Sequence, residues 1–326
     1  MGNQVNTGLA QLSDQLILAT VLLYLAAMIG YALELAFGAP RRKANARQVR
    51  ELVTVGAPAD TGTGTDTGTG TDTGTDLQEG PAAAPWAPTA GRVAVALAWL
   101  GWAANLTGIA TRGLAVGRWP WGNMYEFVVA ICFAAVTTFL VLSLRQPIRF
   151  LGAFVTLTSA LGLGFAVLYL HVQAGPVVPA LSSYWLAIHV GAAITASGLF
   201  ILAGVTGVLY LIRKPGAARL PEREDLERIV HRVIVIAFPI WSFAVIAGAL
   251  WADRAWGRYW GWDPKEVWSF VTWLAYAAYL HSRATAGWRG KAGIIIQLVA
   301  CGCLLFNLVG VNIFFSGLHS YADVSG

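Results

Sequence analysis

Eight stretches of mostly apolar residues run through this chain, at roughly 15–37, 92–113, 123–144, 149–171, 185–212, 233–251, 265–283 and 292–315. Each reaches or approaches the about 20 residues that carry a helix across a hydrocarbon core. Backbone in lipid must satisfy its own hydrogen bonds, so such a chain folds as helices. The expected fold class is all-α: a polytopic membrane helix bundle of about eight transmembrane helices. Composition agrees, because only 12% of the 326 residues are charged, against about 25% in soluble domains. That deficit excludes a water-soluble protein, a disordered one and a nucleic-acid binder. Three cysteines make no disulfide framework.

Lysine and arginine set the expected orientation. Of 22 basic residues, 17 fall in loops on one side, which is therefore read as cytoplasmic. An even number of spans then puts both termini outside. The first stretch has no basic run before it and is followed by Arg41, Arg42 and Lys43. It reads as a retained anchor, not a cleaved leader. Three parts are expected: an N-terminal transmembrane anchor (1–40), a cytoplasmic basic segment with a flexible Thr/Gly/Asp linker (41–90), and a membrane domain (91–326). The run TGTGTDTGTGTDTGTD has no apolar face to bury and reads as a spacer. The segment 220–232 reads as a short charged helix lying at the membrane surface.

The external stretch WADRAWGRYWGWDPKEVW, 251–268, holds Trp251, Trp256, Trp260, Trp262, Trp268 and Tyr259. If 252–260 is helical, Trp256 and Trp260 share one face. Asp263, Pro264 and Glu266 suit a capped helix start. An aromatic belt explains one or two such residues per helix end, not this density with Gly257 and Gly261 between them. The pattern suits a platform for a large planar apolar ligand, with Arg254, Arg258 and Lys265 placed to hold peripheral carboxylates. Porphyrin fits that description.

The five histidines can be weighed singly. His189 lies one turn inside the outer end of the fifth span, and His319 just beyond the outer end of the eighth. Two neutral imidazoles at the depth of the tryptophan loop make a bis-axial pair for haem iron. His281 lies 18 residues beyond Asp263, about 27 Å along a helix at about 1.5 Å per residue, which places it near the cytoplasmic face. It is either an interfacial side chain beside Arg283 or a ligand nearer the inside. His171 is a weaker ligand candidate, and His231 reads as solvated. Glu126, just inside the third span, either bonds near the haem or braces its helix. Two more tryptophans precede it in GRWPWGN and are placed to roof the pocket.

At these residues the chain resembles a known family. WGRYWGWDPKEVW is similar to the signature of haem-handling proteins with the tryptophan-rich "WWD" domain. SFVTWLAYAAYLHSRATAGWRG, FNLVGVNIFFSGLHSYA, SSYWLAIHV and NMYEF resemble the CcsA (ResC) branch, the haem-handling part of the system II cytochrome c synthase. The similarity covers most of 91–326 and leaves out the first span and the linker.

The resemblance implies that His189 and His319 ligate haem b beside the loop, and that His281 serves an inner haem site. It implies that Trp256, Gly257, Trp260, Trp262, Asp263 and Pro264 form the signature. It implies a multi-pass protein of the bacterial plasma membrane with its site on the outer face. The partners it implies are a CcsB (ResB)-type membrane subunit, apocytochrome c and a thioredoxin-like thiol reductant. The activity it implies is cytochrome c biogenesis. Haem is exported, held between the two external histidines and presented for thioether attachment to a Cys-x-x-Cys-His segment. Within the complex this is a holocytochrome c synthase; no residue here serves as a covalent nucleophile, and the chain alone is expected to be inactive. Two other readings stay open: a system I, CcmC-like haem chaperone without synthase activity, and a membrane protein that handles quinone or lipid without haem.

Overall fold

The computed structural model describes residues 5–39, 83–176, 183–214, 219–285 and 288–319, and among them every regular element is helical. Three helices are uninterrupted in the first half: α1 (Thr7–Phe37), α2 (Ala87–Val116) and α3 (Met124–Arg145). Helix α4 (Gly152–Phe165) closes in a π-helical turn, Ala166–Leu170. Then come α5 (Tyr184–Ile212), α6 (Arg223–Trp256) and α7 (Pro264–Ala284). Helix α8 (Lys291–Leu305) runs through a second π-helical turn, Phe306–Gly310, into Val311–Phe314.

Seven of these segments, all but α7, are long and apolar enough to cross a membrane by length and composition. Helix α7 has 21 residues. Charges at both its ends, with tyrosine and tryptophan between, dilute its apolar run. It nevertheless packs within the bundle against α6 and α8.

Small residues let the helices close up, as lipid-embedded packing requires. Helix α1 lies along α2, where Tyr24 and Ile17 fill the space a side chain on Gly101 or Gly108 would take. Ser13 Oγ donates to Gly108 O at 2.8 Å across the same seam. Deeper in, the Phe200 and Tyr276 rings stack at 3.6 Å between centroids, joining α5 to α7.

Two local expectations are corrected. The segment 220–232 is no separate surface helix, because from Arg223 it belongs to the same 34-residue helix as the sixth span. Leu226, Val230, Val233, Ile234 and Ala237 are all buried. Their spacing continues one apolar face through the charged turns. Pro239 lies inside this helix without ending it. At the other end, Trp256 and Trp260 do not share a helical face. Gly257, at φ 70°, caps the helix in the left-handed region, and Trp260 follows in loop. The Thr/Gly/Asp linker lies outside the described residues, as do 41–82, while 87–90, expected as linker, already belong to α2.

Candidate functional site: an imidazole pair in an aromatic cleft

One cleft gathers residues from the ends of α3, α5, α6, α7 and α8, with a volume of about 170 Å³. It is lined by His189 and His319 and by Trp121, Trp251, Trp256 and Trp260, with exposed Tyr259 at its mouth. Small-molecule sites usually offer about 300–1,000 Å³. A flat ligand larger than the cleft would therefore stand partly out of it.

Each imidazole is held from behind. His189 Nδ1 lies 2.7 Å from Ala244 O on α6, so Nδ1 carries the proton and the lone pair lies at Nε2. Gly248, one turn on, makes room for the ring: a Cβ there would come within 2.7 Å of His189 Cε1. His319 Nδ1 lies 2.7 Å from Asp263 Oδ2, which selects the same tautomer. Metal-bound histidines are oriented in this way by a carboxylate or carbonyl behind the ring. Both rings pack on Trp251, at 6.1 Å for His189 and 5.8 Å for His319. Trp256 meets His319 edge-on at 5.1 Å.

Asp263 organises this corner. It caps α7 in a capping box with Glu266, whose Oε2 accepts from Asp263 N and Gly261 N. Its Oδ1 accepts from Leu318 N at 2.6 Å, so the chain beyond α8 is tied to the start of α7. Burial raises the Asp263 pKa, but the hydrogen bond and charge of His319 and the N–H groups of Leu318 and Lys265 outweigh it and hold the carboxyl below its ordinary value.

Donor chemistry and lining together fit a porphyrin. Two imidazoles are too few for a closed zinc site, and they are the number that haem iron leaves for the protein. Three buried polar atoms in the lining, Trp121 Nε1, Ser197 Oγ and Asn307 Oδ1, have no partner among the described residues.

The other expected residues lie elsewhere. Trp262 is 70% exposed and meets Trp260 edge-on. It holds φ 57°, a strained conformation for a residue other than glycine. Arg258 is exposed and does not line the cleft. His281 is exposed near the opposite end of α7. His171 contacts Asp14 at 3.2 Å, and His231 lies near Tyr279 at the far end of the bundle.

Glu126 braces the roof of the cleft and does not line it. It accepts from Arg112 Nε at 3.0 Å, from Arg118 Nη1 at 2.8 Å and from Gly122 N at 2.7 Å. Arg112 also reaches Asp14 on α1, and Arg118 reaches Gly175 O. The network thus fixes the loop bearing Trp119 and Trp121, whose rings stack at 5.5 Å. Removing one partner from a buried ion network costs about 3–5 kcal/mol. Glu126→Ala is expected to lower the thermal unfolding midpoint of the detergent-solubilised protein markedly; an unchanged midpoint would show the loop is held by other means.

The fold and the cleft together define an all-helical polytopic membrane protein with two oriented imidazoles in an aromatic cleft. Residues 121–319 match the cytochrome c assembly protein family. The chain is 35% identical over 216 residues to the cytochrome c biogenesis protein CcsA of Chlamydomonas reinhardtii, covering 63% of this chain and 61% of that relative. It is 31% identical over 290 residues to CcsA of Synechococcus elongatus, covering 72% and 87%, and 30% identical over 256 residues to CcsA of Trieres chinensis, covering 67% and 82%. The chain belongs to the CcsA family of cytochrome c assembly proteins, and its role lies in cytochrome c biogenesis.

Proposed function

We propose that this chain is the haem-handling subunit of a membrane cytochrome c synthase, with haem as its cargo. The observation that carries the reading is the imidazole pair. His189 and His319 each have Nδ1 tied to an acceptor and pack on one indole in one apolar cleft. In this reading their Nε2 atoms take the two axial positions of haem b iron, and Trp251 and Trp256 cover the ring. Asp263 holds His319 in its ligating tautomer, and Glu126 keeps the Trp121 loop over the cleft.

The cleft is too small to enclose a porphyrin, so one edge of the ring projects past Tyr259. That edge presents the vinyl groups to the two thiols of a Cys-x-x-Cys-His segment of apocytochrome c. Each thiol sulfur bonds to one vinyl carbon and its proton goes to the neighbouring carbon, so the addition is redox-neutral. A thioredoxin-like reductant keeps the thiols reduced beforehand. The protein supplies position more than chemistry, and orienting two reactants is worth about 7–11 kcal/mol. His281, exposed at the other end of α7, suits an inner haem site shared with a CcsB (ResB)-type partner. The membrane is the bacterial plasma membrane, with the cleft on its outer face and both termini outside. Residues 1–40 serve as the anchor, the stretch from 41 to the start of α2 as a cytoplasmic linker, and the chain from α2 onward as the haem-handling part.

Co-expression with such a partner and an apocytochrome tests the reading. The expected product carries haem that resists acid–acetone extraction. Haem bound to this chain but never attached would mark a chaperone, and a colourless protein from haem-replete cells would favour a quinone- or lipid-handling role.

A further inference from the structure

Three basic residues accompany the tryptophan loop, and the structure separates them. Arg254 and Arg258 are exposed and do not line the cleft; Lys265 does. Its Nζ donates to Asn307 O at 2.6 Å and Leu308 O at 3.3 Å. Both carbonyls belong to the π-helical turn of α8. Leu308 O also accepts from Asn312 Nδ2. Among the described residues no carboxylate makes an ion pair with this ammonium.

The nearby acids are engaged elsewhere. Asp263 serves His319, Leu318 N and Lys265 N. Glu266 Oε2 serves Gly261 N and Asp263 N. A partly buried cation whose hydrogen bonds end on main-chain carbonyls, with Asp263 acting on it through its charge alone, is incompletely compensated, and a π-helical turn often marks a functional position.

We infer that Lys265 is the cleft's receptor for a carboxylate on the rim of the bound tetrapyrrole. The Lys265 ammonium forms an ion pair with one propionate. That fixes the ring's rotation about the axis between the two imidazoles, which ligation alone leaves free. The edge away from the carboxylates is then the one presented outward. This inference rests on the haem reading of the cleft.

Titrating the detergent-solubilised full chain with iron protoporphyrin IX and with its dimethyl ester tests it. The wild-type protein should bind the diacid about tenfold or more tighter than the ester, as expected for a charge-assisted contact. Lys265→Met should bring diacid affinity down to the ester's while leaving ester affinity unchanged, and Lys265→Arg should keep most of the preference. A purely structural role would weaken both ligands alike, and that result would overturn the inference. So would a Lys265→Met variant that keeps the full preference, or a wild-type protein that binds both compounds equally. Failure of the wild-type protein to bind either compound would instead bring down the haem reading itself.

Discussion

Replacing His189 and His319 together with alanine is expected to leave a protein that purifies without colour. The two rings are held to one tautomer by independent acceptors, Ala244 O on α6 and Asp263 at the start of α7. The double variant keeps the indoles of Trp251 and Trp256, so the apolar surface remains while both imidazole nitrogens go. Apolar contact alone does not hold the metal centre, and haem content should fall below a tenth of wild type, since loss of groups that merely orient a ligand already costs about 10–100-fold. Single variants should keep some haem, with the spectrum of a site lacking one axial nitrogen. Added imidazole should restore the six-coordinate spectrum in His189→Gly and His319→Gly. A double variant retaining wild-type haem and an unaltered Soret band would mean that the iron is ligated elsewhere, with His171, His231 and His281 the remaining imidazoles to test.

The spans were legible in the sequence because hydropathy is additive along a helix and each apolar run is bounded by loop or charge. The exceptions are informative. At 220–232 the charges were visible, but the buried face formed by Leu226, Val230 and Ile234 shows only once those residues are placed on a helix packed against neighbours. Trp256 and Trp260 have helical spacing, yet Gly257 between them ends the helix. The capping box at Asp263 was readable because caps are local chemistry. What was not readable is contact between residues far apart in sequence. The carbonyl behind His189 comes from Ala244, and the room for the ring comes from Gly248; neither carries a signature. Glu126 showed only as a costly polar group in an apolar helix, and its two arginines lie in α2 and the following loop. Lys265 showed as one of three equivalent cations until the fold turned it into the cleft and left the other two outside.

Asp263 carries the second large prediction, because three functions meet in one carboxylate. It caps α7, accepts from Leu318 N to fix the chain after α8, and orients His319. Asp263→Ala removes all three. The lost cap alone costs about 1 kcal/mol, and the lost orientation of His319 should weaken haem binding about 10–100-fold. Asp263→Asn separates the functions. An amide oxygen still caps and still accepts from one N–H, but it carries no charge and sets the His319 tautomer less strongly. Its unfolding midpoint should lie near wild type while its haem affinity falls toward that of the alanine variant. The midpoint potential of bound haem should rise as well, because an imidazole without a carboxylate behind it is a weaker electron donor to iron. If instead the asparagine variant binds haem like wild type and only the alanine variant fails, Asp263 acts through the fold, and the contact with His319 is a consequence of the cap and not its purpose.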